Sequence, residues 1–143
     1  MTANKTFDQL LREQDAATTP RRPRRSPEHH LQSACVQWFS IQYPLLRGRL
    51  FAVPNGGGRS KTEAARLKAE GVVAGVSDLI LLKSNRQHGA LLIEMKTTAP
   101  DSRQSQRQQW WQQLVTADGE YKYIVCRSLQ QFIDEVRQYL SNV

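Results

Sequence analysis

Three ionisable residues stand where a buried hairpin should carry none. Residues 76–83 read Val-Ser-Asp-Leu-Ile-Leu-Leu-Lys and residues 90–96 read Ala-Leu-Leu-Ile-Glu-Met-Lys, with turn-like Ser84-Asn85-Arg86-Gln87-His88-Gly89 between them. Two apolar runs around such a gap predict a β-hairpin with a longish loop. Asp78 opens the first strand, and Glu94 and Lys96 close the second. Side chains alternate along a strand, so Glu94 and Lys96 share a face with Leu92, while Ile93 and Met95 point the other way. Pairing Leu82 with Ala90 sets Asp78 opposite Glu94. Two carboxylates left alone would repel and raise each other's pKa. A divalent cation between them removes that conflict, and hard cations such as Mg²⁺ take oxygen ligands and keep several waters. A lysine beside such a cation can position or deprotonate a water and screen phosphate charge. Taken alone, the same pattern also fits a strand-end cap at Asp78 and an edge strand whose Glu94 and Lys96 face solvent.

The neighbourhood narrows the choice. Upstream stand Pro54-Asn55-Gly56-Gly57-Gly58-Arg59, then Glu63-Ala64-Ala65-Arg66-Leu67-Lys68-Ala69-Glu70-Gly71-Val72 and Ala74-Gly75-Val76-Ser77-Asp78-Leu79. Downstream are His88-Gly89, Ile93-Glu94-Met95-Lys96 and a helix with Ser105, Gln108 and Trp111. In these motifs the chain closely resembles the stand-alone VRR-NUC nucleases of phages and bacteria, within the PD-(D/E)XK superfamily, from about Glu28 to Cys126. Ser77 departs from the pattern, since a Pro usually precedes the Asp there; that Pro shapes backbone and is not a ligand. The resemblance implies an αβββαβ restriction-endonuclease-like core and Mg²⁺- or Mn²⁺-dependent hydrolysis of DNA phosphodiesters. It implies Asp78, Glu94 and the Met95 carbonyl as metal ligands and Lys96 as the residue that orients or activates water. It also places Glu28 at the metal and Gln108 near the active site. Finally, it implies a homodimer similar to junction resolvases, hence branched DNA as substrate, in the cytoplasm of a bacterial or phage-infected cell.

The elements that must position these residues can be read in order. The chain has 143 residues, 39% of them hydrophobic, which is one domain with enough mass for a core. A net charge of +7 favours a polyanionic partner. No apolar run approaches the roughly 20 residues of a membrane helix, and no secretory signal is evident. Cys35 and Cys126 are isolated in apolar company and read as small buried hydrophobes in a reducing compartment; no Cys/His spacing suggests zinc.

Residues 1–27 are polar and read as an extended basic arm. Arg21, Arg22, Arg24 and Arg25 would contact phosphates with salt-dependent affinity, or form a solvated tail. Residues 28–143 read as the nuclease domain. Ser26-Pro27-Glu28 starts a helix cleanly, with Leu31, Cys35, Trp38 and Phe39 as its apolar stripe. Glu28 falls on the inward side; it could also serve only the helix dipole. Leu50–Val53 reads as a short strand. The loop after it offers Asn55, Gly56, Gly57 and Arg59, whose backbone can approach phosphate, though a plain turn has the same composition. Ser60 and Glu63 form a capping-box pattern, Arg66 and Lys68 follow on a short basic helix, and Gly71 stops it. Gly71 and Gly75 bend the chain into the hairpin.

Beyond it, Ser105 caps a helix whose Gln108, Trp111, Leu114 and Val115 recur at three- and four-residue spacing, with Trp111 directed to the core. Trp110 points about 100° away from Trp111 and is the better candidate for a subunit contact. Tyr121–Cys126 is a further strand, and Leu129, Phe132, Ile133, Val136 and Leu140 mark a final amphipathic helix. The pattern alone gives an α/β class with a small mixed sheet flanked by helices. Two functions of other classes stay open: a non-catalytic DNA-binding module, and an enzyme acting on a small phosphorylated substrate. Among nucleases, flaps, nicks and plain duplex remain alternatives to a junction.

Overall fold

A computed structural model describes residues 27–54 and 60–143. Helix α1 spans Pro27–Gln42 and is followed by a 3-10 turn at Pro44–Leu46, strand β1 (Leu50–Ala52) and helix α2 (Lys61–Ala69). Strands β2 (Leu79–Leu81) and β3 (Leu91–Met95) form the hairpin, and helix α3 (Gln106–Thr116), strand β4 (Lys122–Cys126) and helix α4 (Leu129–Ser141) complete the order. The sheet is mixed, in the order β1-β2-β3-β4, antiparallel except for the parallel β3–β4 pair. From residue 27 onward the elements expected from the sequence are present in that order, and the α/β class with helices flanking a small mixed sheet holds; a short helix that Phe7, Leu10 and Leu11 could mark lies outside the described residues.

The hairpin register is the expected one. Leu79 pairs with Ile93 and Leu81 with Leu91, the alignment that sets Leu82 against Ala90 and Asp78 against Glu94. Alternation then sorts the sheet. Leu79, Leu81, Leu91, Ile93, Met95, Ile124 and Cys126 form one core with Cys35 and Phe39 of α1 and Phe132, Val136 and Tyr139 of α4. The opposite face, with Glu94 and Tyr123, meets α3. Cys35 and Cys126 are free and fully buried, and burial pushes their thiols up to about 11 and about 12. Among the described residues no helix is long and apolar enough to cross a membrane.

The short elements are held by their ends. Ser60 Oγ accepts from the Glu63 N–H at the start of α2. At its other end Gly71 N–H reaches Lys68 O and Val72 N–H reaches Leu67 O, a Schellman closure that Gly71 permits with φ of 100°. In the hairpin loop Asn85 Oδ1 accepts from the N–H groups of Gln87 and His88, an Asx turn.

Gly75 brings the approach to β2 against α3. Its φ is 87°, and a Cβ there would lie 2.7 Å from the backbone carbonyl of Arg107. Gly75→Ala is expected to lower stability by at least about 2 kcal/mol, since left-handed strain adds to a backbone clash. The denaturant midpoint measures it, and an unchanged midpoint would mean that this loop and α3 do not touch in solution.

Two expectations about burial need correction. Leu114 is 57% exposed, and α3 contributes no fully buried residue; Trp111 is half-buried, its ring 6.1 Å from that of Tyr123. The side of α3 turned to the sheet is mixed, since it carries Gln108 to Glu94 as well as Trp111 to Tyr123. Tyr139, left out of the expected α4 stripe, is 1% exposed, and its hydroxyl donates to Lys83 O at 2.6 Å.

Candidate active site

The sheet ends where the chemistry-bearing residues gather. Asp78 directly precedes β2, and its carbonyl accepts from Val53 N–H at 2.9 Å. Its Oδ2 accepts from Met95 N–H at 2.7 Å, which ties the carboxylate to the end of β3. Ser77, fully buried in place of the usual Pro, donates through Oγ to Leu79 O and so closes the local backbone by a hydrogen bond instead of a ring. A residue's N–H and C=O point to the same side of a strand. Met95 N–H faces Asp78, and Lys96 N–H faces Cys126 O on β4. The Met95 carbonyl is therefore directed to the Asp78 side as well.

Glu94 is 1% exposed. Its Oε1 accepts from Gln108 Nε2 at 2.7 Å and lies 3.8 Å from Lys96 Nζ, while Oε2 accepts from Tyr123 Oη at 3.3 Å. Burial pushes the Glu94 carboxyl up to about 9, and the facing Asp78 pushes the same way against the pull of Lys96. Gln108 is placed by its own helix start: Ser105 Oγ accepts from Gln108 N–H, and Gln108 Oε1 accepts from Ser105 N–H. That capping box leaves the Gln108 amide NH₂ free to reach Glu94.

Glu28 arrives from the first turn of α1. It lines a cleft of about 610 Å³ with Asp78, Met95, Gln32 and Ser33. Ser102 Oγ donates to Glu28 Oε1 at 3.3 Å and accepts from Thr97 N–H at 2.8 Å. Arg127 donates to the carbonyls of Thr97 and Ser102 and holds that loop closed. Sequence reading missed Ser102, Arg127, Gln104 and Tyr123. Gln104 alone had a legible signal, lying four residues before Gln108.

The structure thus brings Asp78, Glu94, Met95, Lys96, Gln108 and Glu28 to one end of the sheet. Arg66 and Lys68 sit exposed on α2. Asn55, Gly56, Gly57 and Arg59 of the glycine-rich loop, and Arg21, Arg22, Arg24 and Arg25 of the arm, lie outside the described residues. Trp110 is 46% exposed with the Arg107 guanidinium 4.9 Å from its ring centre.

The donor set fits a hard divalent cation. Its atoms are carboxylate and carbonyl oxygens, and the conflict between Glu94 and Asp78 is the kind a cation relieves. Among the described residues no three His, Cys, Asp or Glu side chains converge to hold a metal by themselves. A cation here would need a backbone carbonyl and waters to complete its shell, which is the habit of Mg²⁺.

Glu94 also predicts a pH dependence for the metal-free protein. Folded Glu94 keeps its proton up to about 9, whereas an ordinary carboxyl releases it near 4.5. Between those values the folded state binds more protons, so stability falls as pH rises through that window. Melting in EDTA from pH 5 to pH 9 is expected to show a falling Tm, and Glu94→Gln should flatten the slope. An equal slope in the variant would assign the dependence to other groups.

The VRR-NUC domain family model matches residues 24–130, and the chain belongs to that family and carries a nuclease-type domain. A solved structure, "VRR_NUC domain protein", superposes with a TM-score of 0.69 at 24% identity, over 82% of this chain and 90% of that one. That likeness establishes the shared fold. A comparison with curated proteins returns no match.

Proposed function

We propose that this protein is a metal-dependent endodeoxyribonuclease, selective for branched DNA such as four-way junctions. The observation that supports it most is the hairpin register, which faces Asp78 to Glu94 with Lys96 alongside. A Mg²⁺ or Mn²⁺ ion bound there supplies Lewis acidity, lowering the pKa of the attacking water and offsetting charge on the phosphate. Asp78, Glu94 and the Met95 carbonyl would hold it. Glu28 would add an oxygen from the α1 side, steadied by Ser102. Lys96 would orient the water and screen the phosphate, and Gln108 would keep Glu94 in place. Arg66 and Lys68 would contact the DNA backbone, joined by Asn55, Gly56, Gly57 and Arg59 of the glycine-rich loop and by Arg21, Arg22, Arg24 and Arg25 of the arm.

A junction calls for two symmetric cuts, and a two-fold dimer supplies two sites related by the same symmetry. The exposed Trp110 on α3 is the aromatic we assign to that homodimer contact. The setting would be the cytoplasm of a bacterial or phage-infected cell. Labelled junction, flap, nicked and plain duplex DNA, each incubated with Mg²⁺ and with Mn²⁺, test the proposal. Paired, symmetric nicks in the junction are expected. Absence of metal-dependent cleavage on every substrate would overturn it, and preference for a flap or nick would replace the junction.

A further inference from the structure

Glu94 is held by more than its expected neighbours. Tyr123 stands two residues before Val125, the parallel partner of Glu94, so both side chains emerge on the α3 face of the sheet. Tyr123 Oη lies 3.3 Å from Glu94 Oε2 and 3.1 Å from Gln104 Nε2. The second N–H of that same amide reaches Gln112 Oε1 at 3.0 Å. Gln108 and Gln112 are four residues apart on one face of α3, and Gln104 stands just before the Ser105 cap, where the extended backbone turns its amide back to Gln112 and Tyr123. Two of the three converge on Glu94, one directly and one through the tyrosine.

The direction of the bonds matters. A hydroxyl has one proton to give and lone pairs to receive. Gln104 Nε2 can only donate, so it occupies a lone pair of the Tyr123 oxygen and leaves the Tyr123 proton for Glu94. Gln112 in turn accepts from Gln104 and orients its amide. Glu94 therefore receives a neutral donor on each oxygen, Gln108 on Oε1 and Tyr123 on Oε2. Neutral donors fix the orientation of the carboxyl without placing a positive charge on it, so an incoming cation that displaces the Glu94 proton meets both oxygens already aimed. Outer hydrogen-bond partners of this kind orient ligands and tune metal affinity.

We propose that Tyr123 is a positioning residue for the metal site, acting through Glu94 Oε2, and that Gln104 sets the direction of its hydroxyl. This rests on Asp78 and Glu94 binding the cation. The Tyr123 ring packs against Trp111, so Tyr123→Phe removes the hydroxyl while keeping that contact.

The test is Mn²⁺ titration of the intact protein by calorimetry, without DNA, with melting in EDTA measured in parallel. Tyr123→Phe is expected to weaken Mn²⁺ binding about tenfold. Gln104→Leu should weaken it in the same direction by a smaller factor. The double variant should bind no more weakly than Tyr123→Phe alone, because Gln104 works through the hydroxyl. Unchanged Mn²⁺ affinity in Tyr123→Phe, with or without a lower Tm, overturns the proposal, and additive losses overturn the role given to Gln104. Asp78→Ala separates the two levels. If it loses Mn²⁺ binding while Tyr123→Phe does not, only the positioning role fails. If it binds Mn²⁺ like the wild type, the site assignment fails and the positioning role with it.

Discussion

Asp78→Ala and Glu94→Ala are each expected to cut Mg²⁺-dependent cleavage at least about a thousandfold, equivalent to about 4 kcal/mol of barrier. DNA binding without metal should persist in both. The expectation follows from the geometry: the hairpin register faces the two acids to each other, and among the described residues Lys96 is the basic side chain paired with Glu94, at 3.8 Å. The variants should differ in stability. Asp78→Ala leaves the Met95 N–H without its acceptor, so some loss of stability should accompany the loss of activity. Glu94→Ala removes a buried acid whose desolvation opposes ionisation, and leaves Gln108 Nε2 and Tyr123 Oη to find water. Cleavage assays with and without Mg²⁺, beside a gel-shift in EDTA, measure both parts. Full activity in either variant would remove that residue from the site.

The second large effect is at Lys96. Lys96→Ala should lose about 10²–10⁴ in turnover, the range of a positioned proton-transfer group, while Mg²⁺ and DNA affinities stay near wild type. Lys96 is nearly buried and close to one oxygen of Glu94 only. Single-turnover rates at saturating metal separate the alternatives. A variant that keeps its rate there but needs more Mg²⁺ would make Lys96 a support for Glu94 and nothing more.

Much of this arrangement was legible because it is local. The hairpin register could be read from Asp78, Glu94 and the apolar residues between them, since a slip of one residue would have turned Leu79 and Leu81 out of the core. Ser105 and Gly71 were readable as helix ends for the same reason: caps depend on a few neighbouring residues. The misreadings come from tertiary context. The spacing of Trp111, Leu114 and Val115 resembles a buried stripe, but α3 turns Gln108 to the sheet and leaves Leu114 in solvent. Glutamines read as surface residues until a buried acid gives them something to bind. Tyr123 looks like one more strand aromatic, and Ser102 and Arg127 like loop residues. Their partners lie 29, 74 and 30 positions away, at Glu94, Glu28 and Thr97. No local spacing signals such contacts.

The central claim is that the Asp78 end of the hairpin is a hard-cation site. Crystals of the metal-free protein soaked in Mn²⁺, with data collected at the manganese absorption edge, test it directly. The account predicts an anomalous peak bounded by the Asp78 and Glu94 carboxylates and the Met95 carbonyl, open to the cleft that Glu28 lines. No peak at that position with crystals saturated in Mn²⁺, or a peak only elsewhere on the protein, would contradict it.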